Sequence, residues 1–160
     1  MNAPTTIDLV LVEDNPQDLA LALLALDEHF PSGRVHVARD GAEALAFIFC
    51  EGDYADRTIS ETPKVILLDL KLPKFGGIEV LRRIRADWRT KHIPVVMLTS
   101  SKEQCDVIQS YQLGVNSYIV KPVNFERFTE AVRNFAFYWH RLNQPVGPPN
   151  CEQSSKHPFL

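Results

Sequence analysis

Short aliphatic runs, each followed by polar turn residues and then by apolar residues at helical spacing, constrain this chain more than any other feature. Ile7 to Val12, Arg34 to Ala38, Val65 to Leu68, Pro94 to Leu98 and Ser117 to Val120 read as strands. After the first, Glu13-Asp14-Asn15-Pro16 puts a proline at a first helical position, and Leu19, Ala22, Leu23, Leu26 and Phe30 form one apolar stripe. Asp40 opens a second helix through Phe49, with Ala44, Leu45 and Ile48 inward, and Glu51 to Pro63 forms a polar connection. Pro73 and Gly76-Gly77 lead into a third helix carrying Ile78, Leu81 and Ile84. Val107, Ile108 and Tyr111 mark a fourth, which the Thr99-Ser100-Ser101 hydroxyls are expected to cap and Gly114 to end; Asn124 opens a fifth running to Leu142.

Strands this short and this continuously apolar are buried on both faces, so they belong to a parallel sheet with helices above and below. The expected class is α/β, a flavodoxin-like doubly wound five-stranded parallel sheet with strand order 2-1-3-4-5 and five helices. A chain of 160 residues supports one such domain. Residues 6–142 are assigned to it, 1–5 to a flexible N-terminus, and 143–160, rich in Pro, Ser, Asn and Gln, to an extended or disordered tail with no second globular domain. Lysine and arginine number 17 against 20 acidic residues, a net charge of −3 without a basic block, so DNA is not the expected partner. Cys50, Cys105 and Cys151 lack metal-ligand spacing and read as reduced thiols. No leader pattern and no run of about 18 apolar residues suggests a membrane, which makes the cytoplasm the default location.

Ligands bind such sheets outside the carboxyl ends of the strands, near the point where strand order reverses. Every chemically distinctive residue lies at such an end: Glu13 and Asp14 after the first strand, Asp69 after the third, Thr99 after the fourth, and Lys121, before Pro122, after the fifth. Carboxylates held together repel, and a hard divalent cation with oxygen ligands relieves the repulsion; Mg2+, or Mn2+, fits. A cation alone leaves Thr99 and Lys121 idle. A phosphoryl group on Asp69 gives both a task, the hydroxyl and the ammonium each meeting one phosphoryl oxygen, with Asp69 as nucleophile. Singly, Asp14 or Thr99 could be a helix cap, Asp69 a turn residue and Lys121 a surface charge; together these readings require repeated coincidence at one rim. His29, His36, His92 and His157 show no ligand spacing and read as packing or surface residues.

Glu13-Asp14, Asp69 with Pro73 and Gly77 downstream, Thr99-Ser100 and Lys121-Pro122 stand in the order found in the receiver domain of two-component response regulators, and residues 6–142 resemble that family. The resemblance implies that Asp69 accepts phosphate from a histidine kinase. It implies that Asp14, Asp69 and the backbone carbonyl of Lys71 hold Mg2+, with Glu13 acting through water. Thr99, Ser100 and Lys121 would read the phosphate, Tyr118 would be the aromatic switch, and a cis peptide before Pro122 would aim Lys121 into the site. Lys71 and Ser101 fall where the family adjusts dephosphorylation. The protein would then be no enzyme beyond self-catalysed phosphotransfer and autodephosphorylation, and its signal would leave through the fourth helix, fifth strand and fifth helix toward an unknown downstream protein.

On the fifth helix Phe125, Phe128, Val132, Phe135 and Trp139 share one face and read as core, while Phe137, Tyr138 and His140 fall away from it and suggest a dimer or partner surface. Gly52-Asp53-Tyr54-Ala55 and the run Phe137 to Pro145 are similar to the single-domain regulators that partner bacterial phytochrome kinases. That similarity implies a light-sensing histidine kinase and a homodimer through the fourth helix, fifth strand and fifth helix. Two other classes compete. A magnesium-dependent aspartyl phosphatase resembling the haloacid dehalogenase group would carry its nucleophile after the first strand in an Asp-x-Asp pattern, whereas Asp69 follows the third and precedes Leu70-Lys71. A pseudo-receiver that binds partners without phosphorylation would not need every site residue that this chain retains.

Overall fold

The structure, a computed structural model, describes residues 6–147. Residues 1–5, and the part of the expected tail from 148 to 160, lie outside the described residues. Strands β1 (Leu9–Val12), β2 (Val35–Ala38), β3 (Val65–Leu68), β4 (Val95–Thr99) and β5 (Ser117–Val120) alternate with helices α1 (Pro16–Leu26), α2 (Gly41–Phe49), α3 (Gly77–Ala86), α4 (Gln104–Gln112) and α5 (Phe125–Phe137). The strands form one parallel sheet ordered β2-β1-β3-β4-β5, the expected doubly wound class.

Strand alternation divides the core into two layers. Val10, Val12, Ile66, Leu68, Val95 and Met97 face α2 and α3, while Leu9, Leu11, Val65, Leu67, Val96 and Leu98 face α1 and α5. The three central strands are wholly buried, which is why their sequences are unbroken apolar runs. The polar residues that punctuate the chain start the helices. Asn15 caps α1 by accepting from the amides of Gln17 and Asp18, Asp40 caps α2 through Glu43, and Asn124 caps α5 through Arg127. Arg85, on the last turn of α3, donates to the carbonyls of Lys91, Ile93 and Gly114 and to Asn116 Oδ1, tying together the loops on either side of β4 and α4.

Five local expectations are corrected. Phe125 does not join the core: it is 57% exposed, because the first turn of α5 projects beyond the carboxyl edge of the sheet, whereas Phe128, Val132 and Phe135 are buried. Trp139 is half-buried and packs at the margin of the α1/α5 layer. The α-helix ends at Phe137, and Tyr138–Leu142 continue as a π-helical segment. No side chain caps α4, which starts after Glu103; Ser101 instead bonds Asp106 within its first turn. The peptide between Lys121 and Pro122 is trans, the isomer that X-Pro bonds prefer by about 0.5–1 kcal/mol, and Lys121 reaches the strand ends without a cis bond.

Candidate functional site

Parallel register delivers the site residues to one rim. Val12 and Leu68 are paired at the ends of β1 and β3, and the amide of Asp69 donates to the Val12 carbonyl at 3.0 Å, so Asp69 stands beside Glu13. Thr99 pairs with Val120, and the amide of Lys121 donates to the Thr99 carbonyl at 2.8 Å, which sets Lys121 past the end of β4. The rim lies where the chain order steps from β1 outward to β2 on one side and to β3 on the other, the reversal point at which open α/β sheets bind ligands.

Two glycines let the backbone close around Asp69. A Cβ on Gly77 would stand 2.3 Å from the Asp69 carbonyl oxygen, and the Gly77 amide donates to Leu70 O at 2.7 Å. Across the loop, a Cβ on Gly41 would lie 1.9 Å from the Phe75 carbonyl oxygen. Lys74, at the crest of that loop, has φ +64 and pairs with Asp40 at 3.0 Å. The carboxylate is thus carried on a loop locked to the starts of α2 and α3.

The polar groups converge on one ammonium. Lys121 Nζ lies 2.6 Å from Glu13 Oε2, 3.0 Å from Asp69 Oδ2 and 3.0 Å from Asp18 Oδ2. Glu13, Asp14 and Asp69 each offer a carboxylate oxygen within 4.8 Å of the others. Glu13 also accepts from the Asn15 amide, and Asp69 Oδ1 from the Lys71 amide at 3.4 Å. Negative charge exceeds positive, and the proton affinities reflect it. Burial, with the Asp69 charge added, pushes Glu13 up to about 7 despite its bond to Lys121. Burial by itself lowers Lys121, but its bond to Glu13 and the charges of Asp69 and Glu13 outweigh burial and hold it above the ordinary lysine range. An all-oxygen set of three carboxylates, held close and carrying surplus charge, fits a hard divalent cation such as Mg2+ or Mn2+.

Thr99 is fully buried, and its Oγ1 accepts from the Ser101 amide at 3.3 Å. Ser101 forms the junction toward α4, its hydroxyl donating to Asp106 and its carbonyl accepting from the Tyr118 hydroxyl at 3.0 Å. Ser100 is exposed and lines, with Gln17, Asp18, Leu21, Lys121, Pro122 and Phe125, a groove between α1 and the turn that opens α5. The structure brings Glu13, Asp14, Asp69 and Lys121 together, with Thr99 on the adjoining strand end. Phe137, Tyr138 and His140 lie far along the other end of α5. Phe137 and Tyr138 are about half exposed, while His140 packs its ring 5.2 Å from that of Phe30.

A family model for the response regulator receiver domain matches residues 9–133. The chain belongs to that family. It is 39% identical over 138 residues to the response regulator Rcp1 of Synechocystis sp., which spans 86% of this receiver and 90% of Rcp1. The Mn2+-bound form of Rcp1 superposes with a TM-score of 0.80 at 36% identity, covering 87% of this receiver and 98% of that chain. The phosphorylated cyanobacterial phytochrome response regulator RcpA gives a TM-score of 0.81 at 39% identity over 87% of this chain and 97% of its own. The bacteriophytochrome response regulator RtBRR is 50% identical, with a TM-score of 0.67 and coverage of 86% and 82%. Among the described residues of this receiver, no helix is long and apolar enough to cross a membrane.

Three contributors were not singled out from the sequence. Asp18 lies in the first turn of α1, three residues after the Asn15 cap, and its nearness to Glu13-Asp14 in the sequence was its available signal. Gly41 follows the capping Asp40 and carries no signal without knowledge of the loop that packs on it. Asn15, rather than Asp14, caps α1, which frees the exposed Asp14 carboxylate for the cluster.

Proposed function

We propose that this receiver accepts a phosphoryl group on Asp69 from a histidine kinase of the phytochrome type and passes the signal on through the α4, β5 and α5 surface. The observation that carries the reading is the single ammonium of Lys121, bonded to Asp69 and Glu13 at the rim where Asp14 completes an oxygen cluster. In the transfer, an Asp69 oxygen forms a bond to phosphorus as the P–N bond of a phosphohistidine breaks. The imidazole nitrogen keeps the electron pair and leaves neutral, because the other ring nitrogen bears the proton.

The residues divide the electrostatic work. Asp14 and Asp69, with the Lys71 carbonyl and with Glu13 through water, would hold a divalent cation whose charge offsets that of the incoming phosphoryl oxygens. Lys121 supplies the second positive charge, already aimed at Asp69 before any donor arrives. Thr99 Oγ1 and the exposed Ser100 hydroxyl offer donors to a phosphoryl oxygen from β4. Movement of Thr99 toward that oxygen acts on Ser101, and through it on Asp106 of α4 and Tyr118 of β5; the bonds of Ser101 to both support this route. Phosphorylation then biases two packings to the extent that it binds one better. The similarity to the phytochrome response regulators RcpA and RtBRR supports a phytochrome kinase as donor, and the half-exposed Phe137 and Tyr138 support a homodimer.

Intact-mass spectrometry after incubation with Mg2+ and acetyl phosphate tests the acceptor: the chain gains one phosphoryl group and Asp69→Asn gains none. Equal uptake by both would remove Asp69 from the reaction. Transfer from a purified phytochrome kinase should change rate between its two light states, and a rate indifferent to light would count against that partner.

A further inference from the structure

Lysine has three N–H donors, and in this receiver each meets a different carboxylate. Two of them, Glu13 and Asp69, also belong to the oxygen cluster with Asp14; Asp18 stands outside it, on the first turn of α1. We infer that Asp18 is a positioning residue for phosphoryl transfer, holding Lys121 from the α1 side so that its ammonium stays aimed at Asp69 while the other two carboxylates are engaged. The inference rests on the phosphoacceptor reading above.

Once Asp69 forms an acyl phosphate, its bonded oxygen loses charge, and the lysine donor directed at Asp69 passes to a phosphoryl oxygen. Glu13 shares its carboxylate with the cation cluster, so its bond to Lys121 weakens when a cation is held there. Asp18 has neither competing task. Its backbone is fixed, because its amide is one of the two that bond the Asn15 cap, and Asn15 in turn donates its own amide to Glu13. The cap therefore sets Asp18 and Glu13 on two sides of the same ammonium. Without Asp18, the flexible lysine stem borders an open groove lined by Ser100, Pro122 and Phe125, and among the described residues no other carboxylate on that side bonds it. The Asp18 side chain is one-third exposed and that of Lys121 nearly buried, so the anchor sits at the mouth of the site and the ammonium behind it.

Wild type, Asp18→Asn and Asp18→Glu are compared for the maximal rate of phosphorylation by acetyl phosphate, for Mg2+ affinity by calorimetry, and for thermal midpoint. Lys121 ammonium proton exchange is followed in parallel by 15N-lysine NMR. Asp18→Asn should lose about tenfold in maximal rate, the scale on which groups supporting an active residue act. Its Mg2+ affinity should stay within about twofold, its Lys121 protons should exchange faster, and Asp18→Glu should recover most of the rate. A wild-type rate and unchanged exchange in Asp18→Asn would overturn the inference, as would an equal loss of Mg2+ affinity, which would make Asp18 part of the cation cluster. If the wild type takes up no phosphate, the functional reading fails instead, and the exchange of the Lys121 protons still decides whether Asp18 holds them.

Discussion

At Gly77 one methyl group separates a closed site from a disturbed one, since its Cβ would stand 2.3 Å from the carbonyl oxygen of Asp69. Gly77→Ala should cost about 1–3 kcal/mol in urea denaturation, the scale of overpacking, and should weaken divalent-cation binding because Asp69 must shift. Asp14 is exposed and has no capping duty, so Asp14→Asn should leave stability nearly unchanged while lowering Mg2+ affinity at least about tenfold, measured by calorimetry. Glu13, Asp14, Asp69, Thr99 and Lys121 were legible as residue types at strand ends. Asp18 was not, because an aspartate in a first helical turn reads as complementing the helix dipole until a buried lysine from the far edge of the sheet is seen to reach it.

Among the elements, α5 and α4 differ sharply in how they are held. On α5, Phe128→Ala should cost about 3–5 kcal/mol in chemical denaturation, whereas Phe125→Ala should cost much less. Helical spacing identified both as one face; it carried no information on where the sheet ends beneath them. On α4 the one fully buried residue is Ser110, and Ile108 and Tyr111 lie about half exposed. Its amides should therefore exchange with solvent faster than those of α5, and this difference should appear in hydrogen-exchange mass spectrometry. The same weak packing fits the change proposed for this surface on phosphorylation. Ser101 is the fastening point: its bond to Asp106 is local, while its bond to Tyr118 depends on a tertiary pairing of β4 with β5 that spacing along the chain does not contain.

For the whole molecule, partly buried histidines tie stability to pH. Burial, with Arg57 nearby and only Glu43 opposing, holds His36 below its ordinary value, where it stacks 3.7 Å from Phe47 and meets Tyr54 edge-on. Above about pH 6.5 the imidazole is neutral in folded and unfolded chains alike. Below it the unfolded chain takes up a proton that the folded one resists, so the contribution of His36 to stability is lost as pH falls. Glu13, held at about 7, acts with the opposite sign as pH rises from its ordinary value, so the two are separated by comparison with a variant. His36→Phe, which preserves the stack, should show a smaller loss of urea stability than wild type between pH 7 and 5.5.

The sequence by itself determined the fold class, the order of elements and the chemistry available at the strand ends, because burial period and turn residues are local properties of the chain. It also determined the family, through motifs whose spacing is fixed by that order. What only the tertiary structure decided is which groups share a charge. Lys121 is separated by more than a hundred residues from Glu13 and Asp18, and their bonds arise because β1 and β5 lie in one parallel sheet with the first turn of α1 at its carboxyl edge. The exposure of Phe125 was decided in the same way, by what lies beneath it once the sheet has closed.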